Sequence, residues 1–267
     1  MMMSYLALVS CCVIFIILTE RYRNISLYFT IIIALAFPFI ADTSTWDWFY
    51  FAKTYSVIIP VIVFSLAQSE YYYEWIWLER FHPYIPTATR LILALNIAEG
   101  GVLLFSLGQY STALLCLILI FTIPKFVFTE KQNLGFENII WIIGYSYCFI
   151  LGFMFYPEDT NFFFPGLMAI FVPIIFCLIM RDWNVWLTFR VYSIYFILIL
   201  DVIFSQGDFL IFELVNNSNF APENRINTTV ESGFKIVSSL LVVVIIWKYI
   251  TTIWHTKNQS SVAYNGG

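Results

Sequence analysis

Long apolar runs alternate with short polar connections along the whole chain. A helix that crosses a bilayer needs about 20 mostly apolar residues. Runs near that length fall at Met3–Leu18, Ile25–Ile40, Trp48–Leu66, Thr87–Leu107, Ser111–Phe128, Asn138–Phe155, Phe163–Met180, Trp183–Phe204 and Phe234–Trp254. They predict an all-α fold, a polytopic transmembrane helix bundle of about nine spans, with eight as the alternative count. The first run has no basic segment before it and no A-x-A site after it, so it reads as a span rather than a secretory leader. Pro60, Pro124, Pro165 and Pro173 fall within these runs. Prolines are tolerated in spanning helices because neighbouring helices can satisfy the backbone groups they free.

The connections orient the bundle. Lys and Arg concentrate on the cytoplasmic side of membrane proteins. Odd-numbered connections, the tail and the span ends beside them hold ten of the thirteen basic residues, Arg21, Arg23, Arg80, Arg90, Lys125, Lys131, Arg181, Arg190, Lys248 and Lys257. Only Lys53, Arg225 and Lys235 fall on the other side. This predicts the N-terminus outside and the C-terminus inside. Residues 1–257 read as a single transmembrane domain and 258–267 as a disordered cytoplasmic tail.

Composition agrees with the pattern. The chain is 61% hydrophobic and 11% charged, where soluble domains average about 45–50% and about 25%. The 20% aromatic content suits interfacial anchoring, most densely in Gln68–Pro86. A net charge of −4 offers no basic surface to nucleic acid. Cys11, Cys12, Cys116, Cys148 and Cys177 all lie in apolar runs and read as small hydrophobes. His82 and His255 fall in polar connections, so neither a metal centre in the membrane nor a histidine triad is expected, and no cofactor. The partners expected are membrane lipids and a small ion or solute. The location is an integral membrane, plasma membrane or endomembrane.

Candidate chemistry sits in Arg90–Phe105, RLILALNIAEGGVLLF, where Asn96 and Glu99 interrupt an apolar helix. An ionisable group inside a membrane helix is costly and marks a functional site by default. Lys53, Asp201 and Lys235 fall at a similar outer depth in their own runs. Two positive and two negative groups can form buried ion pairs that fix helix register, the lysines partly snorkelling to water. They can equally line a polar cavity open to the outside, with Glu99 central and Asn96, Tyr55, Ser56 and Tyr145 beside it. Gly100-Gly101 reads first as close helix packing. Arg190 reads as a residue that snorkels to the inner headgroups or forms an inner gate. The sequons at Asn216 and Asn227 fall on the outer side and are candidate glycosylation sites.

Two segments carry a family resemblance: W-F-x-x-x-K-x-Y-S, here Trp48 to Ser56, and L-I-L-A-L-N-I-x-E, here Leu91 to Glu99. Their order and separation resemble a family of bacterial multi-pass membrane proteins of unknown function. The similarity is close in these segments and loose over most of the chain. It implies a polytopic membrane fold and marks Lys53, Tyr55, Ser56, Asn96 and Glu99 as shared positions, without supplying an activity. The family pattern continues after the glutamate with an Arg-Asp pair. This chain has Gly100-Gly101-Val102-Leu103 there, so any role of that pair does not carry over.

The function these features favour is a transporter or channel for a small ion or solute. The first alternative is an intramembrane or lipid-modifying enzyme, for which Asp42-Thr43-Ser44-Thr45-Trp46-Asp47 is the nearest approach to a site, without a histidine to support it. The second is a structural or assembly protein. A retinal-type pigment with Lys235 as Schiff base is disfavoured by the span count and by that lysine's place at a helix edge. No inverted repeat of the kind many transporters carry is evident.

Overall fold

A computed structural model describes residues 2–40, 48–73, 80–129, 134–155, 163–204 and 228–265. They form an all-α fold of nine helices: α1 (Met2–Arg21), α2 (Arg23–Ile40), α3 (Trp48–Tyr73), α4 (Ile85–Ser106), α5 (Tyr110–Phe121), α6 (Ile139–Phe155), α7 (Phe163–Met180), α8 (Trp186–Phe204) and α9 (Thr228–Asn265). Single 3-10 turns at His82–Tyr84 and Trp183–Val185 lead into α4 and α8. Counting these turns, three helical stretches among the described residues are long and apolar enough to cross a membrane, His82–Ser106, Trp183–Leu200 and Glu231–Trp254. Five further apolar stretches, such as Tyr110–Phe121, have 10–17 residues.

By its internal contacts the chain divides into two compact units. The first holds residues 1–92, 125–137 and 156–221. Its centre is α8, which touches α1, α2, α3 and α7. The apolar stretch that includes α8 is 67% buried, against 22% for that of α4 and 11% for that of α9. Thus α8, and not the Glu99-bearing α4, is the helix about which neighbours gather. Its large side chains Trp186, Tyr192 and Tyr195 are fully buried among these neighbours.

A small hairpin closes one end of this unit. The expected fifth span, Ser111–Phe128, does not continue as helix: α5 stops at Phe121. Pro124 lacks an N–H and disfavours helical geometry in the residue before it. Beyond it, β1 (Val127–Phe128) pairs antiparallel with β2 (Leu134–Gly135), Val127 opposite Gly135. His82 stacks on Phe128 with ring centroids 4.0 Å apart, and Phe136 meets Trp186 edge-on at 5.9 Å. A Cβ on Gly135 would fall 1.6 Å from the Asn184 carbonyl oxygen, so only glycine lets β2 approach the turn before α8.

The second unit holds residues 93–124, 138–155 and 222–267. Here α9 packs on α5 and α6 through a narrow stripe containing the buried Ser238 and Ile245. Small residues allow the approach. A Cβ on Gly144 would lie 2.7 Å from Ile245 Cδ1, and one on Gly101 would lie 3.1 Å from Cys116 Cβ. Helix α4 runs unbroken through Gly100-Gly101, so Gly101 serves packing rather than a bend. Helix α9 extends beyond the expected Phe234–Trp254 at both ends, and as far as Asn265.

Candidate functional site

The eight sequence candidates divide between the units. Lys53, Tyr55 and Ser56 on α3 and Asp201 on α8 belong to the first; Asn96 and Glu99 on α4, Tyr145 on α6 and Lys235 on α9 belong to the second. The side chains of Lys53 and Asp201 lie outside the described residues, as do the sequons at Asn216 and Asn227 and the Asp42–Asp47 segment. Glu99 is exposed and Asn96 half-buried. Glu99 shares its face of α4 with Leu91, Leu95 and Val102, which are 62%, 70% and 71% exposed. It lies on an exposed face of α4 that is otherwise lined by apolar side chains. Tyr145 is buried in an aromatic ladder on α6, between Trp141 at 5.5 Å and Phe149 at 4.5 Å. It packs the core of its unit.

Tyr55 has a backbone role that follows from a proline. Pro38 lies within α2 and has no N–H to give the carbonyl four residues earlier, that of Ala34. The Tyr55 hydroxyl of α3 donates to that carbonyl at 3.1 Å. The same device recurs between α7 and α8. Pro173 within α7 frees the Ala169 carbonyl, which accepts from Arg190 Nη1 at 3.0 Å and from Ser193 Oγ at 2.9 Å. Arg190 is 4% exposed. It neither snorkels to headgroups nor lines an opening; its guanidinium satisfies a neighbouring helix's backbone. The signal available in sequence is the spacing of Pro173 from Ala169, since a freed carbonyl in an apolar core requires a donor.

A different polar cluster forms where α5 meets α9, and the chain builds it locally. Gly108, at φ +74°, ends α4. The Gln109 N–H bonds to the Leu104 carbonyl at 2.9 Å and the Gly108 N–H to that of Phe105 at 3.0 Å, the two bonds of a Schellman ending. This turn sets Gln109 just ahead of α5, where it is 3% exposed. Gln109 Nε2 donates to Glu231 Oε1 at 3.1 Å. Lys235, one turn along α9, is 2.8 Å from the same oxygen. The ion pair in which Lys235 takes part is thus with its own helix neighbour. Gln109 Oε1 is buried with no hydrogen-bond partner among the described residues.

Hydroxyls continue the polar contact deeper. Thr112 Oγ1 and Ser238 Oγ are 2.8 Å apart. Ser238 also donates to the Phe234 carbonyl at 2.9 Å, and Tyr147 of α6 donates to that carbonyl at 2.7 Å. The sequence candidates in this unit include Lys235 but omit Gln109 and Glu231. Both stand outside the apolar runs, where a polar residue carries no signal. The cluster offers a carboxylate and an ammonium, both partly exposed (32% and 48%), to a small charged or polar species. No group of three or more metal-ligating side chains occurs among the described residues. No protein-family model, curated protein or solved structure matches the chain.

Proposed function

We propose that this chain is a polytopic integral membrane protein of about nine spans, N-terminus outside and C-terminus inside, that passes or binds a small ion or solute. The reading rests on three apolar helices of spanning length and is carried by one observation: the buried Gln109 just ahead of α5 holds Glu231 of α9, beside Lys235. Charged groups are costly deep in a bilayer but not at a helix end that reaches the interface, so this pair can stand open to a solute. Their partial exposure favours a ligand. The resemblance to the bacterial family of unknown function is consistent with this class and adds no substrate.

Flux into liposomes containing the purified chain tests the proposal. Glu231→Gln and Lys235→Met should each reduce flux of a responsive ion, and Glu99→Gln should reduce it if the α4 carboxylate lies on the same route. Equal flux in wild type and all three variants sinks the site. The second reading is a structural membrane protein without transport. The use of Tyr55 and Arg190 on backbone carbonyls favours it, and absence of flux for every ion and solute tried would select it.

A further inference from the structure

The Gln109 amide is only half satisfied. Gln109 is the N-cap residue of α5, yet its side chain makes no capping bond to that helix. It turns to α9 instead, where Nε2 donates to Glu231 Oε1 at 3.1 Å. Its Oε1 is buried with no hydrogen-bond partner among the described residues, and the residue is 3% exposed. Flipping the amide does not cure this. An ionised carboxylate only accepts, so the nitrogen belongs on Glu231 and the oxygen is the group left over. A buried acceptor of this kind is costly to leave unmet. What the amide lacks is a donor or a cation, not an anion.

Glu231 sets the charge of the missing partner. One amide carbon separates Oε1 from Nε2 of Gln109, so the amide oxygen lies within ~6 Å of Glu231 Oε1. At that range a carboxylate favours a positive charge strongly. Glu231 already has one cation, the Lys235 ammonium at 2.8 Å. That ammonium is tethered to α9 and 48% exposed, on a flexible stem that can carry it into water. A monovalent cation that displaces it leaves Glu231 neutralised, as before. A divalent one would add an uncompensated charge beside a buried amide. Carboxylate and amide oxygens are the ligands that hard cations take.

We propose that Gln109 Oε1 and the Glu231 carboxylate bind a monovalent alkali cation, in exchange with the Lys235 ammonium. The inference deepens the proposed function and rests on it: the small ion becomes a cation, and Lys235 becomes a built-in competitor that helps to release it.

The test is thermal unfolding of the full purified chain in detergent, in sodium, potassium or choline chloride at one ionic strength. Choline carries the same charge but is too bulky to reach a buried oxygen. Sodium or potassium should raise the melting temperature above that in choline, and the rise should saturate with concentration. Gln109→Leu and Glu231→Gln should each remove the difference between salts, whatever they do to the melting temperature itself. Lys235→Met should keep the difference and lower the half-saturating concentration by up to about fivefold, the worth of a partly exposed ion pair. Equal melting in the three salts, a difference that survives Gln109→Leu, or an unchanged or higher half-saturating concentration in Lys235→Met would each overturn the proposal. A cation-dependent rise without flux counts against transport alone. Flux without such a rise removes this cation site and leaves transport standing.

Discussion

The two units use polar side chains for different ends. In the first, Tyr55, Arg190 and Ser193 reach across to carbonyls that Pro38 and Pro173 leave without an N–H. In the second, α5, α6 and α9 contain no proline; Tyr147 and Trp141 still donate to carbonyls of neighbouring helices, but polar side chains also pair with one another: Gln109 with Glu231, Thr112 with Ser238. A side chain committed to backbone is unavailable to a solute; a side chain paired to another, and still partly exposed, can exchange partners. A polar residue in an apolar helix is therefore best judged after locating prolines in the adjacent helix and asking what serves the carbonyls four residues before them.

The sharpest way to break this distinction is to remove both donors at Ala169. Arg190→Met with Ser193→Ala should destabilise the protein by about 1–3 kcal/mol, the cost of a buried acceptor left unsatisfied. Adding Pro173→Ala restores an N–H at that position and should recover much of the loss. Thermal unfolding in one detergent, followed by far-UV circular dichroism, measures all three. If Pro173→Ala gives no recovery, Arg190 matters through other contacts and the proline account is wrong for it.

In the second unit the comparable strain lies in packing. Gly144→Ala places a methyl 2.7 Å from Ile245 Cδ1 and 3.3 Å from Leu119 Cδ2. Overpacking of this kind costs about 1–3 kcal/mol, at the lower end here because both contacts are flexible side-chain ends. Ile245→Val removes Cδ1 and should restore part of the melting temperature. A Gly144→Ala protein as stable as wild type would mean that α6 and α9 approach less closely than described.

Tyr55→Phe comes next. It deletes one hydroxyl and should cost about 0.5–1.5 kcal/mol. In a Pro38→Ala background, where the Ala34 carbonyl regains an N–H, the same change should cost less. An equal cost in both backgrounds would separate Tyr55 from the proline and return its hydroxyl to the list of groups available for a ligand.

These outcomes also bear on how much could be read before the structure. The all-α class was legible because long apolar runs have few ways to satisfy a backbone, and most helix positions followed. The apolar run Phe163–Met180 coincides with α7, and Asn138–Phe155 differs from α6 by one residue. The end of α5 was not legible, because hydropathy does not distinguish helix from the extended segment after Phe121, and Pro124 read as a proline tolerated within the span. Hydropathy also tracks apolar length rather than helix length, so it cannot locate the ends of α9. At the candidate site, Lys235 was visible as a charge beside an apolar run. Gln109 and Glu231 were not, since their meeting depends on the Gly108 turn and on α5 and α9 packing together. Arg190 was visible as a charge but not as a backbone donor, because that role is decided on a different helix.

The smallest effect belongs to Thr112 and Ser238. Ser238 has one hydroxyl proton and gives it to the Phe234 carbonyl, so Thr112 is the donor in the contact between them. Thr112→Val removes that donor and leaves the Ser238 proton satisfied. Hydrogen bonds between helices in a membrane protein average about 0.6 kcal/mol and reach about 1.7, so a loss near the average is expected. A double-mutant cycle with Ser238→Ala isolates the pair term. If the coupling exceeds the Tyr55→Phe cost, the side-chain pairs of the second unit hold their helices as firmly as the carbonyl donors of the first. The Gln109–Glu231 contact would then belong with the packing rather than with a ligand.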